Sequence, residues 1–102
     1  GDEFPKNQYT KWFDYDKIKG TLSLRHRQPG DYLTLPSGGR KTLKSWMIDE
    51  KIPRQEREEI WLLAEEKHIL WIVGHRISAY YKITEQTKTI LEVEFNGGKS
   101  SG

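Results

Sequence analysis

Two short apolar runs, Ile60–Ala64 and Ile69–Val73, constrain the fold of this chain more than any other feature of its sequence. The second run is continuous, which is typical of a strand buried on both faces. The charged residues Glu65-Glu66-Lys67 between the runs predict a turn. Hydrophobic residues make up 34% of the 102 residues and charged residues 31%, so the chain can build one core and not two.

Alternating apolar and polar residues predict further strands. Over Thr21–Arg27 the alternation predicts a strand with Leu22 and Leu24 turned inward. Both Arg25 and Arg27 are then expected side by side on the outward face. Strands are also predicted at three other segments, Tyr9–Tyr15, Tyr32–Leu35 and Leu91–Phe95.

Two short helices are predicted in the middle of the chain. Leu43, Trp46 and Met47 fall at helical spacing, with polar residues between them. Pro53 ends that helix and suits the first turn of a second one, which is expected to reach about Ile60. We therefore predict an α+β fold, a compact single domain of about six short strands with two short central helices.

The ends of the chain are polar and rich in Gly, Ser or Pro. We expect residues 1–11 and 97–102 to be flexible and residues 12–96 to form the domain. Because the chain begins with Gly1 and not with Met, we expect it to be a piece of a longer protein. No apolar run approaches the roughly 18 residues of a membrane-spanning helix, so no membrane partner is expected.

Positive charge is concentrated in one part of the sequence. The net charge of +2 combines a net +6 over Lys17–Arg57 with a net −4 over the remaining residues. Such a division favours a surface for a polyanion, although runs of charge are also common on plain solvated surfaces.

The basic segment supplies the candidate binding residues. They lie on a predicted outward strand face, a loop and two short helices: Arg25, Arg27, Arg40, Lys41, Lys44, Lys51, Arg54 and Arg57. Tyr32, Trp46 and Trp61 are expected to be core or boundary aromatics, which disfavours a single-strand binder that stacks bases. Duplex RNA, recognised through its backbone and shape, fits the pattern better.

The spacing of the remaining residues does not predict a nucleotide-binding, metal-binding or catalytic site. The loop Ser37–Thr42 lacks the Walker spacing, so a flexible loop before a helix explains it better than a nucleotide site. A weaker interpretation stays open, in which this loop binds one phosphate of a larger polyanion. His26, His68 and His75 lack metal-ligand spacing, and the chain has no Cys. We predict no catalytic, cofactor-binding or metal-binding residue here.

Two motifs in a fixed order make the sequence recognisable. The first is Arg25-His26-Arg27-Gln28-Pro29-Gly30-Asp31, and the second is Gly38-Gly39-Arg40-Lys41-Thr42-Leu43-Lys44. The likeness continues through three segments, Ile48–Arg57, Leu70–Ile77 and Tyr81–Thr84, and covers about residues 12–96. With these motifs the chain resembles the C-terminal domain of bacterial tRNA(Ile)-lysidine synthetases.

The resemblance implies a parent enzyme that is a cytoplasmic ligase. Members of that family use ATP, with Mg, to attach free lysine to the wobble cytidine of an isoleucine tRNA, which gives lysidine. The ATP loop belongs to an N-terminal catalytic domain, so this chain alone is expected to be inactive. The C-terminal domain is similar to a domain of the phenylalanyl-tRNA synthetase β chain and is thought to hold the acceptor stem.

The sequence therefore leads to two hypotheses. In the first, this chain is a non-catalytic tRNA-binding domain that holds the acceptor stem as duplex RNA for the N-terminal catalytic domain of the same chain. In the alternative, the basic surface is a structural or interdomain module, or supports a homodimer, without direct contact to RNA.

Overall fold

A computed structural model describes residues 9–96 of the chain. Over these residues the protein forms eight β-strands and two short α-helices. The strands are β1 Thr10–Asp14, β2 Leu22–Arg25, β3 Tyr32–Thr34, β4 Arg40–Thr42, β5 Leu62–Glu65, β6 His68–Ile72, β7 Arg76–Ile77 and β8 Ile90–Glu94. The helices are α1 Leu43–Asp49 and α2 Arg54–Arg57, and single 3-10 turns occur at Tyr15–Lys17 and Ala79–Tyr81.

The strands form two sheets. The larger sheet has the order β2-β5-β6-β3-β4, and β7 also pairs with β6. Its pairings are antiparallel except for β3 and β6, which run parallel. The smaller sheet consists of β1 and β8 in antiparallel register.

The two apolar runs form the antiparallel pair β5–β6 at the centre of the larger sheet. Leu63 lies opposite Trp71, and the turn at Glu66 has a positive φ of 55°. Both faces of the pair are covered, because Ile69 and Leu70 are fully buried in two different core clusters. The predicted doubly buried strand and the charged turn are confirmed.

The two core clusters lie on opposite faces of this sheet, so the apolar residues form two clusters and not the single core that the composition predicted. One cluster contains the buried face of α1, that is Leu43, Trp46 and Met47, as the helical spacing predicts. Thr42 caps the N-terminus of α1, since its hydroxyl accepts a hydrogen bond from the Ser45 amide. The other cluster contains Phe13 of the smaller sheet. Helix α1 and the smaller sheet therefore cover different faces of the central strands.

The α+β fold is confirmed, with differences in its details. Eight strands replace the predicted six, because β4 has no apolar side chain and β7 has only two residues, too few for alternation to reveal. Helix α2 ends at Arg57 and not near Ile60. Of the predicted flexible ends, residues 1–8 and 97–102 lie outside the described residues, whereas Thr10 belongs to β1. The domain bounds 12–96 stay a prediction.

The predicted orientation of β2 is confirmed for Leu22, which packs against the core, but is wrong for Leu24 and Arg25. Leu24 is 50% exposed, and Arg25 turns inward with only 16% of its side chain exposed. Strand β2 lies at the edge of the sheet, where the covering layer reaches Leu22 but not Leu24. A buried carboxylate, described below, holds Arg25 on the inner side.

Candidate nucleic-acid interface

Arg25 forms a two-pronged ion pair with Asp31, whose side chain is 1% exposed. Its Nη1 and Nη2 each donate to one carboxylate oxygen at 2.9 Å. Nη1 also donates to the His26 carbonyl at 2.9 Å, and Nη2 donates to the Glu66 carbonyl at 2.7 Å. All four terminal N–H groups of Arg25 are used inside the protein, so they are not directed outward as the sequence predicted.

Asp31 also organises the turn that precedes it. Its carboxylate accepts the amide of Gln28 at 2.8 Å, and its own amide donates to the Gln28 carbonyl at 3.3 Å. Gly30 has a φ of 88°, which only glycine adopts easily. The carbonyl of Asp31 accepts the amide of Leu43, the first residue of α1, at 2.8 Å. The two sequence motifs are therefore joined through Asp31.

The joined motifs form one side of an open groove of about 610 Å³, which we call the basic groove. Arg27 and Lys44 line it, together with the turn residues Pro29 and Gly30. Arg27 pairs with Glu58 across the groove, with 2.6 Å between its Nη2 and the carboxylate. Arg27 and Lys44 are thus the two predicted binding residues that the fold brings together here.

The other predicted binding residues lie outside the lining of the basic groove. Lys41 pairs with Asp49, and Arg57 donates from Nε to the Ile52 carbonyl at 2.8 Å. Among the described residues, Arg40, Lys51 and Arg54 are exposed and, like Lys44 of the basic groove, pair with no carboxylate. These four cations are open to an external anion.

The glycine loop between β3 and β4 is a hairpin turn. The Leu35 amide donates to the Gly39 carbonyl and the Gly38 amide donates to the Leu35 carbonyl, both at 2.8 Å. Gly38 has a φ of 95°. Because β4 separates this turn from α1, the loop does not enter the helix directly, contrary to the prediction. The geometry favours the loop interpretation over a nucleotide site.

A second open cleft, of about 700 Å³, lies beside this hairpin. It is lined by aromatic and basic side chains from five elements, and we call it the aromatic cleft: Lys17, Tyr32, Arg40, His68 and Tyr80. The Arg40 guanidinium lies 4.4 Å from the Tyr32 ring centroid, and the Lys17 ammonium lies 5.0 Å from that of Tyr80. Sequence reasoning placed Arg40 at a binding site but missed the others, although a basic, Tyr-rich segment at Arg76–Lys82 was a signal for Tyr80.

His68 lies at the centre of the aromatic cleft. Its ring stacks on Tyr32 with centroids 4.5 Å apart, and its Nε2 lies 2.9 Å from the Thr34 hydroxyl. Burial lowers the pKa of His68 below its usual value, and the Arg40 charge adds to this, while Glu65 opposes it. The imidazole is therefore neutral at pH 7.

Glu65 lies in the wall of the same cleft, where its charge is compensated locally. Its carboxylate accepts the Tyr81 hydroxyl at 2.7 Å and the backbone amides of Lys19 and Gly20. Burial raises the pKa of Glu65, but these hydrogen bonds together hold it below its usual value. Burial, reinforced by Glu65, raises the pKa of Tyr81 far above its usual range, so this hydroxyl remains a donor.

Within residues 9–96, no group of three His, Cys, Asp or Glu side chains is placed to hold a metal ion. Over the same residues, no helix is long and apolar enough to cross a membrane.

Comparison with known proteins places the chain in a family. A sequence model of the family described as "TilS substrate C-terminal domain" matches residues 22–94. The chain belongs to this family. The match confirms the predicted resemblance. The matched residues include both motifs and most of the residues that line the basic groove and the aromatic cleft.

Curated relatives of the family are similar over almost the whole chain. The tRNA(Ile)-lysidine synthase of Caldanaerobacter subterraneus subsp. tengcongensis is 46% identical over 95 residues, which cover 92% of this chain and 20% of that relative. The tRNA(Ile)-lysidine synthase of Clostridium tetani is 41% identical over 101 residues, which cover 98% of this chain and 22% of the relative. The chain thus spans about a fifth of the length of these relatives.

A solved structure of the same family supports the fold. The structure described as "Crystal structure of TILS C-terminal domain" matches with a TM-score of 0.65 and 27% sequence identity. The match covers 94% of this chain and 80% of that one. The predicted similarity to the phenylalanyl-tRNA synthetase β chain stays a prediction.

The Arg25–Asp31 pair leads to a prediction about stability. Arg25→Ala leaves the buried Asp31 carboxylate without its partner, so we expect it to lower the free energy of unfolding by about 3 kcal/mol. Arg27→Ala breaks only an exposed pair and is expected to cost less than about 1 kcal/mol. Urea unfolding followed by tryptophan fluorescence measures both values. Equal losses for the two variants would contradict a structural role for Arg25.

The neutral state of His68 predicts how stability depends on pH. The unfolded chain takes up a proton near the ordinary His pKa of 6.5, whereas folded His68 does so only at lower pH. The contribution of His68 to the free energy of unfolding is therefore complete above the ordinary His pKa. It is lost as the pH falls through the pKa that His68 has in the folded protein. We expect the free energy of unfolding to fall from about pH 7.5 to about pH 5.5, and to fall less steeply in His68→Gln. Equal slopes in urea unfolding for both proteins would refute this.

Proposed function

We propose that this chain is a non-catalytic tRNA-binding domain of a tRNA(Ile)-lysidine synthase. In this proposal it binds the acceptor stem as duplex RNA, through phosphates and not through base edges. The observation that carries the proposal is the set of predicted binding residues that are exposed and have no carboxylate partner, in the segment that also holds the family motifs: Arg40, Lys44, Lys51 and Arg54. The names of the relatives supply the class of RNA.

The paired cations suit the same role. Exposed ion pairs such as Arg27–Glu58 and Lys41–Asp49 contribute only about 0–1 kcal/mol, so an arriving phosphate can replace the carboxylate. Arg40 adds a planar donor that can bind two phosphate oxygens at once. Arg25 is left out of the proposed contact set because its terminal donors are occupied. Its contribution is to fix the turn that carries Arg27.

The proposal extends to the parent enzyme. That protein would be a ligase that uses ATP, with Mg, and free lysine in an N-terminal catalytic domain, and it would act in the cytoplasm. The chain described here would position the tRNA and would show no turnover by itself when given ATP, lysine and tRNA.

Binding to an acceptor-stem RNA hairpin tests the proposal. Neutralising four to six phosphates predicts that log K falls with log salt with a slope of about −3 to −5. The double variant Lys44→Gln/Arg54→Gln removes two contacts, so it should bind more weakly and reduce the slope by about 2. Fluorescence anisotropy of a labelled RNA over a salt series measures both quantities.

Lys88→Gln is the matched control, because it removes one exposed positive charge outside the basic segment. It should leave the affinity within about twofold and the slope unchanged. A wild-type slope near zero, or equal effects of the control and the double variant, would refute the proposed RNA surface. If RNA affinity is kept in the double variant while its oligomeric state changes, the interdomain or dimerisation alternative is supported instead.

A further inference from the structure

We propose that the aromatic cleft binds the unpaired nucleotides that extend from the end of an RNA duplex. In this proposal a base stacks on the exposed ring of Tyr80, and the adjoining phosphates are bound by Arg40 and Lys17. The inference rests on the proposed function, since it assumes that the exposed cations Lys44, Lys51 and Arg54 bind the duplex part of the same RNA.

The first support is the composition of the aromatic cleft. Tyr80 is 43% exposed although hydrophobic residues make up only 34% of the chain, so a large ring is left in solvent while the core is lean. The His68 ring lies 5.1 Å from the Tyr80 ring and 4.5 Å from the Tyr32 ring. Aromatic faces in a row beside cations are the arrangement that proteins use to bind unpaired bases.

The second support is the charge of the cleft. Lys17, Lys19 and Arg40 line it, while Glu65 and Glu66 are its carboxylates. The Glu65 carboxylate is already occupied by the Tyr81 hydroxyl and two backbone amides. The cations Arg40 and Lys17 are held over aromatic rings and not against carboxylates. Phosphates can therefore approach them without displacing an acidic partner.

The third support is size and position. A volume of about 700 Å³ lies within the range of roughly 300–1,000 Å³ that is typical of small-ligand sites. The β3–β4 hairpin contributes to both surfaces, with Arg40 in the aromatic cleft and Thr42 in the basic groove. These two residues are about 7 Å apart along the strand. An RNA strand that leaves the basic groove along this hairpin therefore reaches the aromatic cleft.

Three hairpin RNAs with the same stem test the inference with the 102-residue chain. One has a blunt end, one has a four-nucleotide 3′ extension, and one has an abasic extension of the same length. The abasic extension keeps the added phosphates but lacks bases, so it separates stacking from charge. We expect the extension with bases to bind at least about fivefold more tightly than the abasic one, as stacking of one base accounts for such a factor.

Tyr80→Leu is the decisive variant, because it removes the exposed ring but keeps an apolar side chain at the surface. It should abolish most of the difference between the two extensions and leave the affinity for the blunt RNA within about twofold. Arg54→Gln is the matched control on the duplex surface, and it should weaken all three RNAs equally. A 2-aminopurine in the extension should be quenched by the wild type and less by Tyr80→Leu.

The outcomes separate the two proposals. If all three RNAs bind equally, or if the extension with bases keeps its advantage in Tyr80→Leu, the inference is wrong and the duplex-binding proposal stands. If none of the RNAs binds, both fail. Circular dichroism and the urea midpoint of Tyr80→Leu show whether the variant is folded, and quenching of 2-aminopurine at saturating protein gives a readout that does not depend on affinity.

Discussion

The buried ion pair between Arg25 and Asp31 is the interaction on which the proposed binding surface depends. It joins strand β2, the turn before β3 and the carbonyl of Glu66 in the β5–β6 turn. Through the Asp31 carbonyl it also fixes the first residue of α1. A carboxylate this deeply buried is stable only when its partner and hydrogen bonds are complete. The residues of the Arg25–Asp31 motif are therefore explained first by their role in folding. Of the two arginines in this motif, only Arg27 is available to a ligand.

The elements that the sequence predicted well are those in which the pattern of apolar residues decides the outcome. The run Ile69–Val73 and the spacing of Leu43, Trp46 and Met47 each allow one arrangement around a small core. The alternating pattern gave the wrong exposure for Arg25, because it takes no account of the buried Asp31 carboxylate six residues later. It also passed over β4, whose three residues include no apolar side chain.

The candidate surfaces were predictable only in part for a related reason. Of the eight basic residues that the charge over Lys17–Arg57 singled out, only Arg27 and Lys44 line the basic groove. The aromatic cleft combines side chains from segments as distant as Lys17 and Tyr80. Within it, Tyr32 and His68 are neighbours because β3 pairs with β6 in parallel. The spacing of residues within one segment of the sequence does not show which strands pair in the fold. Tyr32, expected in the core or at its boundary, is half-buried, and it lines the aromatic cleft.

The exposed pairs Arg27–Glu58 and Lys41–Asp49 have a consequence for selectivity among anions. Each carboxylate occupies its cation until a competitor arrives, so a single small anion gains little by displacing it. A polymer that presents many phosphates at fixed spacing competes for several cations at once, and its local concentration rises after the first contact. In the proposed complex with RNA, these acidic partners would therefore favour long, regularly charged molecules over free nucleotides and inorganic phosphate.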